Sequence, residues 1–393
     1  MENHNSEYLD LTQHELHALG QEYNLADAHT HQSQSESQKQ IVNRLPEIWY
    51  ESENLKQPDL DKRFIKSFFT FHKQDQALKT PSMLVYAASI AMAIFSNYFN
   101  KKNLSVSLIT PCFDNLHDLM KHMQVPLEPL EESWLHDPEK IYDNLSQNIN
   151  SDVIFLVTPN NPTGWELTSK DKSSYDFGFK EVIRFCKDKN KILAIDFCFA
   201  SFLAYDTSIT TFDVYKLLEE SGVSYLTIED TGKTWPTQDA KVAIIKTSKD
   251  LHDEIFNIHT AYLLNVSPFI LNFLSQYIDN SIKDKGLSIT NLLETNKNIA
   301  KEAMKGSLLQ FQEPKSNVSV AWFKITNPKI KATDLQKYIF KSKKVYVLPG
   351  TYFFWDDREK GEHYIRVALA RDTKVFKPAV KLLRQALDEY ENQ

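Results

Sequence analysis

The sequence predicts an α/β protein: a large domain with a mostly parallel sheet flanked by helices, then a smaller α+β domain. Three observations predict it. Apolar runs of strand length at 106–109, 153–157, 192–195, 225–228 and 242–245 alternate with helical patterns, as in a parallel sheet covered on both faces. Several of these runs end in polar or reactive residues, namely Pro111-Cys112-Phe113, Asn160-Asn161, Asp196 and Lys233, which places them at the carboxyl edge where such sheets bind ligands. After residue 270 the pattern changes to long helical runs at 271–282 and 289–304, followed by strand and helix signals at 318–325, 332–340 and 345–348.

In chain order, residues 1–45 are polar and rich in His, Gln and Ser, with weak helical patterns at 11–19 and 38–45; composition alone describes a tail. The apolar stretch 84–95 is too short to span a bilayer and predicts a buried helix. Tyr86-Ala87-Ala88-Ser89 opens a helix over 90–99, and a helix N-terminus suits an anion, with Ser89 adding a hydroxyl. The large domain is expected over 46–270 and the small one over 271–393.

The composition, 42% hydrophobic and 25% charged, is that of an ordinary globular protein. A net charge of -7 leaves no basic footprint and argues against nucleic acid as a partner. The lysine clusters at 187–191 and 341–344 are expected to be solvated helix ends and loops. Residues 1–7 have neither the basic nor the apolar region of a secretory signal. Cys112, Cys186 and Cys198 show no metal-ligand spacing and no even framework, which suits core thiols in a reducing cytoplasm. Glycine numbers only 9, against an ordinary usage of about 7%, so Gly164, Gly232 and Gly350 are expected at positions the backbone requires.

Lys233 stands in Glu229-Asp230-Thr231-Gly232-Lys233 after the run 223–228, where an amine can form a Schiff base. With Asn160-Asn161-Pro162-Thr163-Gly164, Asp196 and Tyr364-Ile365-Arg366-Val367-Ala368, this order resembles the fold type I enzymes of pyridoxal phosphate (PLP), the aminotransferase superfamily, over most of the chain. The resemblance implies a seven-stranded main sheet and PLP bound covalently to Lys233. Asp196 would pair with the pyridine nitrogen, Asn161 with the phenolic oxygen, and Phe113 would stack on the ring. Ala87, Ala88 and Ser89 would hold the phosphate. Lys241 stands where the superfamily has a phosphate-binding arginine, keeping the charge without the fork. Arg366 would clamp a substrate α-carboxylate with two parallel hydrogen bonds. A homodimer with a shared site is also implied. Two departures stand out. Phe199 replaces a tyrosine common after the pyridine aspartate, and Asp230 adds a carboxylate suited to a cationic side chain.

The run through Lys233 to Trp235-Pro236-Thr237 is similar to a subgroup, the PLP- and O2-dependent L-arginine oxidases of natural-product pathways, which comprise arginine desaturases and 4-hydroxylases. Thr12, Glu15, Asn24-Leu25-Ala26-Asp27-Ala28-His29 and Gln32 match a segment that the subgroup folds over the site, so 1–45 becomes a lid. The resemblance assigns Thr12, Glu15, Asp230 and Asn161 to the substrate, with Glu15 and Asp230 facing the guanidinium. His29 becomes an acid/base or water-positioning residue, oriented by Asp27. A metal reading of Asp27-x-His29-x-His31 lacks a further ligand. The implied reaction is a four-electron oxidation of L-arginine by O2 with release of H2O2. Its product is a side-chain dehydro-2-iminoarginine, or 4-hydroxy-2-ketoarginine if water adds at Cγ; the named residues serve both branches. A conventional aminotransferase for a basic amino acid competes, with Phe199 and Asp230 against it. So does a catalytically silent PLP-fold binding module, against which Lys233, Asp196, Asn161 and Arg366 stand together.

Overall fold

A computed structural model describes residues 10–392 except 168–174 and 315; residues 1–7, read for a secretory signal, lie outside these. The chain places a two-residue strand, β1 (Tyr23–Asn24), ahead of the main sheet. Seven strands then follow: β2 (Met83–Val85), β3 (Val106–Thr110), β4 (Leu127–Glu131), β5 (Val153–Val157), β6 (Ile192–Asp196), β7 (Tyr225–Asp230) and β8 (Ala243–Thr247). Their spatial order is β2-β8-β7-β6-β5-β3-β4, and β8 alone runs antiparallel to its neighbours. Every residue of β5 and β7 is buried, as expected of strands covered on both faces.

Two strands of the main sheet differ from the sequence expectation. The apolar stretch 84–95 is not one helix: its first residues belong to β2, and the helix Ala88–Lys101 begins only after the turn at Ala87. A short apolar strand beside an apolar helix leaves no break in periodicity. The other is β4, Leu-Glu-Pro-Leu-Glu, an edge strand whose Pro129 and charged residues hide it while suiting it to that edge.

A second, antiparallel sheet comprises β9 (Leu309–Gln312), β10 (Val320–Ile325), β12 (Leu348–Pro349) and β13 (Tyr364–Ala368), in the order β12-β13-β10-β9. Between them, β11 (Val345–Tyr346) pairs in parallel with β1. Leu25 N–H donates to the Tyr346 carbonyl and Ala368 N–H to the Leu25 carbonyl, each at 2.8 Å, so the N-terminal segment is stitched to this second layer. Residue 270 lies inside the helix Pro268–Lys283, which packs on the helices Leu45–Asn54 and Gln57–His72. The described helices include none long and apolar enough to cross a membrane.

His72 ends the last of these helices, stacked on Phe68 and bonded to Ser201 Oγ at 2.8 Å. Burial lowers its pKa from 6.5 to about 4. Because the folded value is depressed, its contribution is complete above pH 6.5 and is lost as the pH falls toward 4. Denaturant titrations should show about 2 kcal/mol of stability lost between pH 7 and pH 5 through this group. His72→Gln should flatten that slope; an unchanged slope would assign it to other groups.

Candidate active site

The parallel strands deliver their ends to one edge of the main sheet. There a cavity of about 230 Å³ is lined by Asp196 at the end of β6 and by Lys233, Asn161 and Phe113 from the turns after β7, β5 and β3. Within Asn160-Asn161-Pro162-Thr163-Gly164 the two asparagines divide the work. Asn160 Nδ2 donates to the Pro111 carbonyl at 2.8 Å and to Glu132 at 2.6 Å, tying the turn to the end of β3, while Asn161 faces the cavity. Gly164 closes the turn at φ +69°, in the left-handed region where glycine is at ease.

Asp196 lies on the floor. Burial raises its carboxyl above the usual range, the Cys198 N–H at 2.7 Å opposes that, and the charge of Asp230 adds to the rise. A cationic ring nitrogen facing it would relieve the strain of that buried charge. Asp230 also lines the cavity and accepts from Gly232 N–H at 3.0 Å. A Cβ on Gly232 would sit 2.8 Å from Lys241 Cδ, so the bare backbone here lets Lys241 fold over the lysine turn. Ala87, Ala88 and Ser89 form the far wall. Ala87 is the N-cap of the helix Ala88–Lys101 and supplies no side-chain cap, which leaves the first-turn N–H groups to an anion. Lys233 Nζ lies 6.0 Å from the Phe113 ring centroid. An amine, a buried carboxylate opposite, an aromatic wall and an uncapped helix N-terminus with a lysine beside it form a donor set that fits PLP.

The N-terminal arm covers this cavity. Its helix, Leu11–Ala18, is capped by Asp10, whose Oδ1 accepts from Gln13 N–H at 2.7 Å. Thr12 donates to Asp114 through its N–H at 2.8 Å and its hydroxyl at 3.2 Å, and His14 Nδ1 lies 2.8 Å from the Tyr346 hydroxyl. Burial pushes the Asp114 carboxyl up to about 6, the Thr12 N–H opposes this, and Asp10 and Glu15 add to it. Thr12, Glu15 and His29 all reach the cavity.

Asp27 is buried and accepts from His29 Nδ1 at 2.5 Å and from His31 Nε2. Burial alone would raise its carboxyl; the two imidazoles and Arg371 hold it well below the usual carboxylate range. An ionised carboxylate only accepts, so His29 Nδ1 carries its proton. In the neutral ring Nε2 then presents a lone pair, and Nε2 stands 3.1 Å from Lys233 Nζ. Arg371 fixes the segment from behind, donating to the carbonyls of Asn24, Asp27 and His29. Glu15, Asp27 and His29 offer ligand atoms within 4.8 Å of one another, and each is already engaged in these bonds.

Arg366 is fully buried on β13. It donates to Asn161 Oδ1 at 2.9 Å, to Glu15 Oε1 at 2.7 Å and to the Ala26 carbonyl. This differs from the sequence expectation, in which Glu15 meets a substrate guanidinium: here its carboxylate neutralises Arg366, as a buried charge requires. Sequence reasoning missed Asp114, Arg371 and the cavity residues Asn115 and Cys198. Cys198 was expected in the core and instead lines the site, while Cys112 and Cys186 are buried. Phe199 contributes an apolar wall where a phenol was the alternative.

Comparison with known proteins bears on this geometry. The family model for aminotransferase class I and II matches residues 51–383. Among solved structures, that of MppP soaked with its product 2-ketoarginine is similar at 28% identity and a TM-score of 0.81, covering 93% of this chain and 99% of that one. A PLP-bound putative aminotransferase from Clostridium difficile 630 is similar at 15% identity and a TM-score of 0.73, covering 92% and 91%. The histidinol-phosphate aminotransferase from Clostridium acetobutylicum is similar at 18% identity and a TM-score of 0.67, covering 92% and 98%. No curated protein matches in sequence. The chain has the fold type I architecture of PLP-dependent transferases and belongs to the class I and II aminotransferase family.

Proposed function

We propose that this protein is an O2-dependent oxidase of L-arginine that uses PLP, removing four electrons from the amino acid and releasing H2O2. The observation that carries the proposal is the arm. The family match begins at residue 51, yet Thr12, Glu15, Asp27 and His29 enter the site from before it. These residues add an acid/base chain and a carboxylate to the cofactor set. The likeness to a protein whose product is 2-ketoarginine supports arginine as the substrate.

PLP held at Lys233 would supply an electron sink for the pair left when a Cα proton is removed. Lys233 Nζ is placed to take that proton, and His29 Nε2 at 3.1 Å to receive it or return it. Asp27 fixes the ring's tautomer and direction. Arg366 orients the substrate carboxylate, while Asp230 and Glu15 supply negative charge for a guanidinium. The covering helix and the apolar Phe199 keep bulk water from the reacting atoms. A homodimer completing the phosphate site belongs to the same proposal, by analogy with the family.

The test is an oxygen-electrode trace on PLP-loaded protein given L-arginine without a keto acid, with mass spectrometry of the product. Oxygen uptake with peroxide is the expected result. A bare loss of hydrogen names the desaturase, and an added oxygen the 4-hydroxylase. Turnover only when a keto acid is supplied would make the protein a conventional aminotransferase.

A further inference from the structure

Glu15 and Arg366 come from opposite ends of the chain and meet where water hardly reaches: Arg366 is 0% and Glu15 8% exposed. Glu15 Oε1 accepts from Nη2 at 2.7 Å, whereas Arg366 Nε, also buried, has no partner among the described residues. In a planar guanidinium Nε and Nη2 form one edge, matched to both oxygens of a carboxylate. Glu15 shares Nη2 with the Ala26 carbonyl and bonds no other nitrogen of the group, whereas a carboxylate on the Nε–Nη2 edge makes two bonds.

We propose that Glu15 is an internal stand-in for the substrate carboxylate and that binding is an exchange. The substrate carboxylate takes Arg366, and the displaced Glu15 turns to the substrate's distal cation. The proposal rests on the arginine reading for the nature of that cation and adds a selection rule: a ligand must bring both charges.

The surroundings of Glu15 give the rule its force. Thr12 on Asp114 and His14 on Tyr346 hold the helix to either side, so the Glu15 side chain, which already lines the cavity, swings while its backbone stays docked. Once off Arg366, its carboxylate has Asp114 close enough for the two charges to oppose each other and Asp230 across the cavity, while the cation Arg371 is committed to the carbonyls of Asn24, Asp27 and His29 and the His29 ring to Asp27. A neutral amino acid displaces Glu15 and leaves that charge buried without a partner, a strongly unfavourable outcome. A cation lacking a carboxylate, such as agmatine, leaves Glu15 on Arg366 and finds its partner occupied. Arginine alone among the three satisfies every charge.

The test uses calorimetry on the PLP-loaded enzyme with pentanoate, which has a carboxylate but neither an amine to react with the cofactor nor a distal cation. Glu15→Gln and Glu15→Ala should each bind pentanoate about tenfold tighter than wild type, because no charged side chain then competes for Arg366. L-Norvaline should gain similarly while L-arginine weakens, which inverts the usual effect of removing a binding residue. Pentanoate affinity unchanged or weakened in both variants would overturn the exchange. Pentanoate is not oxidised, so this result is read independently of the oxygen trace, which alone decides the oxidase proposal.

Discussion

Lys233→Ala should yield a folded protein that no longer binds its cofactor covalently and turns over arginine at least about 10³-fold more slowly. The size of the loss follows from the two tasks that the proposed reaction gives one amine: it would anchor the cofactor and, once released, take the Cα proton. No other described lysine could take over within the same space. Lys241 lines the cavity too, but its Nζ is 3.6 Å from Asp239 and its stem folds over Gly232. Borohydride reduction followed by peptide mass mapping would locate the adduct at residue 233 in the wild type and nowhere in the variant. Full oxygen uptake by the variant would remove Lys233 from the chemistry.

Asp27→Asn should leave cofactor attachment intact and lower turnover by about 10²–10³-fold. An amide cannot accept from two imidazoles as a carboxylate does, since half of its polar surface donates. Asp27 Oδ1 also accepts from the His29 backbone N–H at 2.8 Å, so the amide oxygen would keep that side, the amide NH2 would face His31 Nε2, and His29 would lose the negative charge that favours its protonated form. Without that charge the ring is a weaker acceptor of a proton from Lys233 Nζ, which stands 3.1 Å from its Nε2. Turnover should fall while the arginine affinity stays within a few-fold, and the acid limb of the rate profile should shift. Unaltered turnover would show that His29 is not kept in register by this carboxylate.

The cofactor half of the site was legible in the sequence because it sits at strand ends. Runs such as 153–157 and 225–228 are apolar throughout, so their termini, and with them Asn161, Asp196 and Lys233, could be placed on one edge before any coordinates. Strands β2 and β4 were not legible, the first for want of a break before a helix and the second because Pro129 and two glutamates mask an edge strand. The substrate half was legible only through resemblance. Its geometry depends on pairings such as Thr12 with Asp114, Arg371 with Asn24 and Glu15 with Arg366, which span more than 100 residues and leave no local periodicity to read. The residue types suited arginine; the partner that Glu15 holds in the structure was outside the reach of pattern.

The bond from Ala368 on β13 to Leu25 and the grip of Arg371 make the second sheet the reference frame for His29, whereas Lys233 takes its position from the main sheet. Their 3.1 Å contact is therefore a gauge of how the two layers are aligned. A rotation of one layer against the other withdraws the imidazole and the Arg366 clamp together, since both ride on the same lever arm. In the proposed reaction, proton transfer and carboxylate capture would thus be synchronised by a shared mount, and a substitution far from the cavity that tilts this mount would silence both at once.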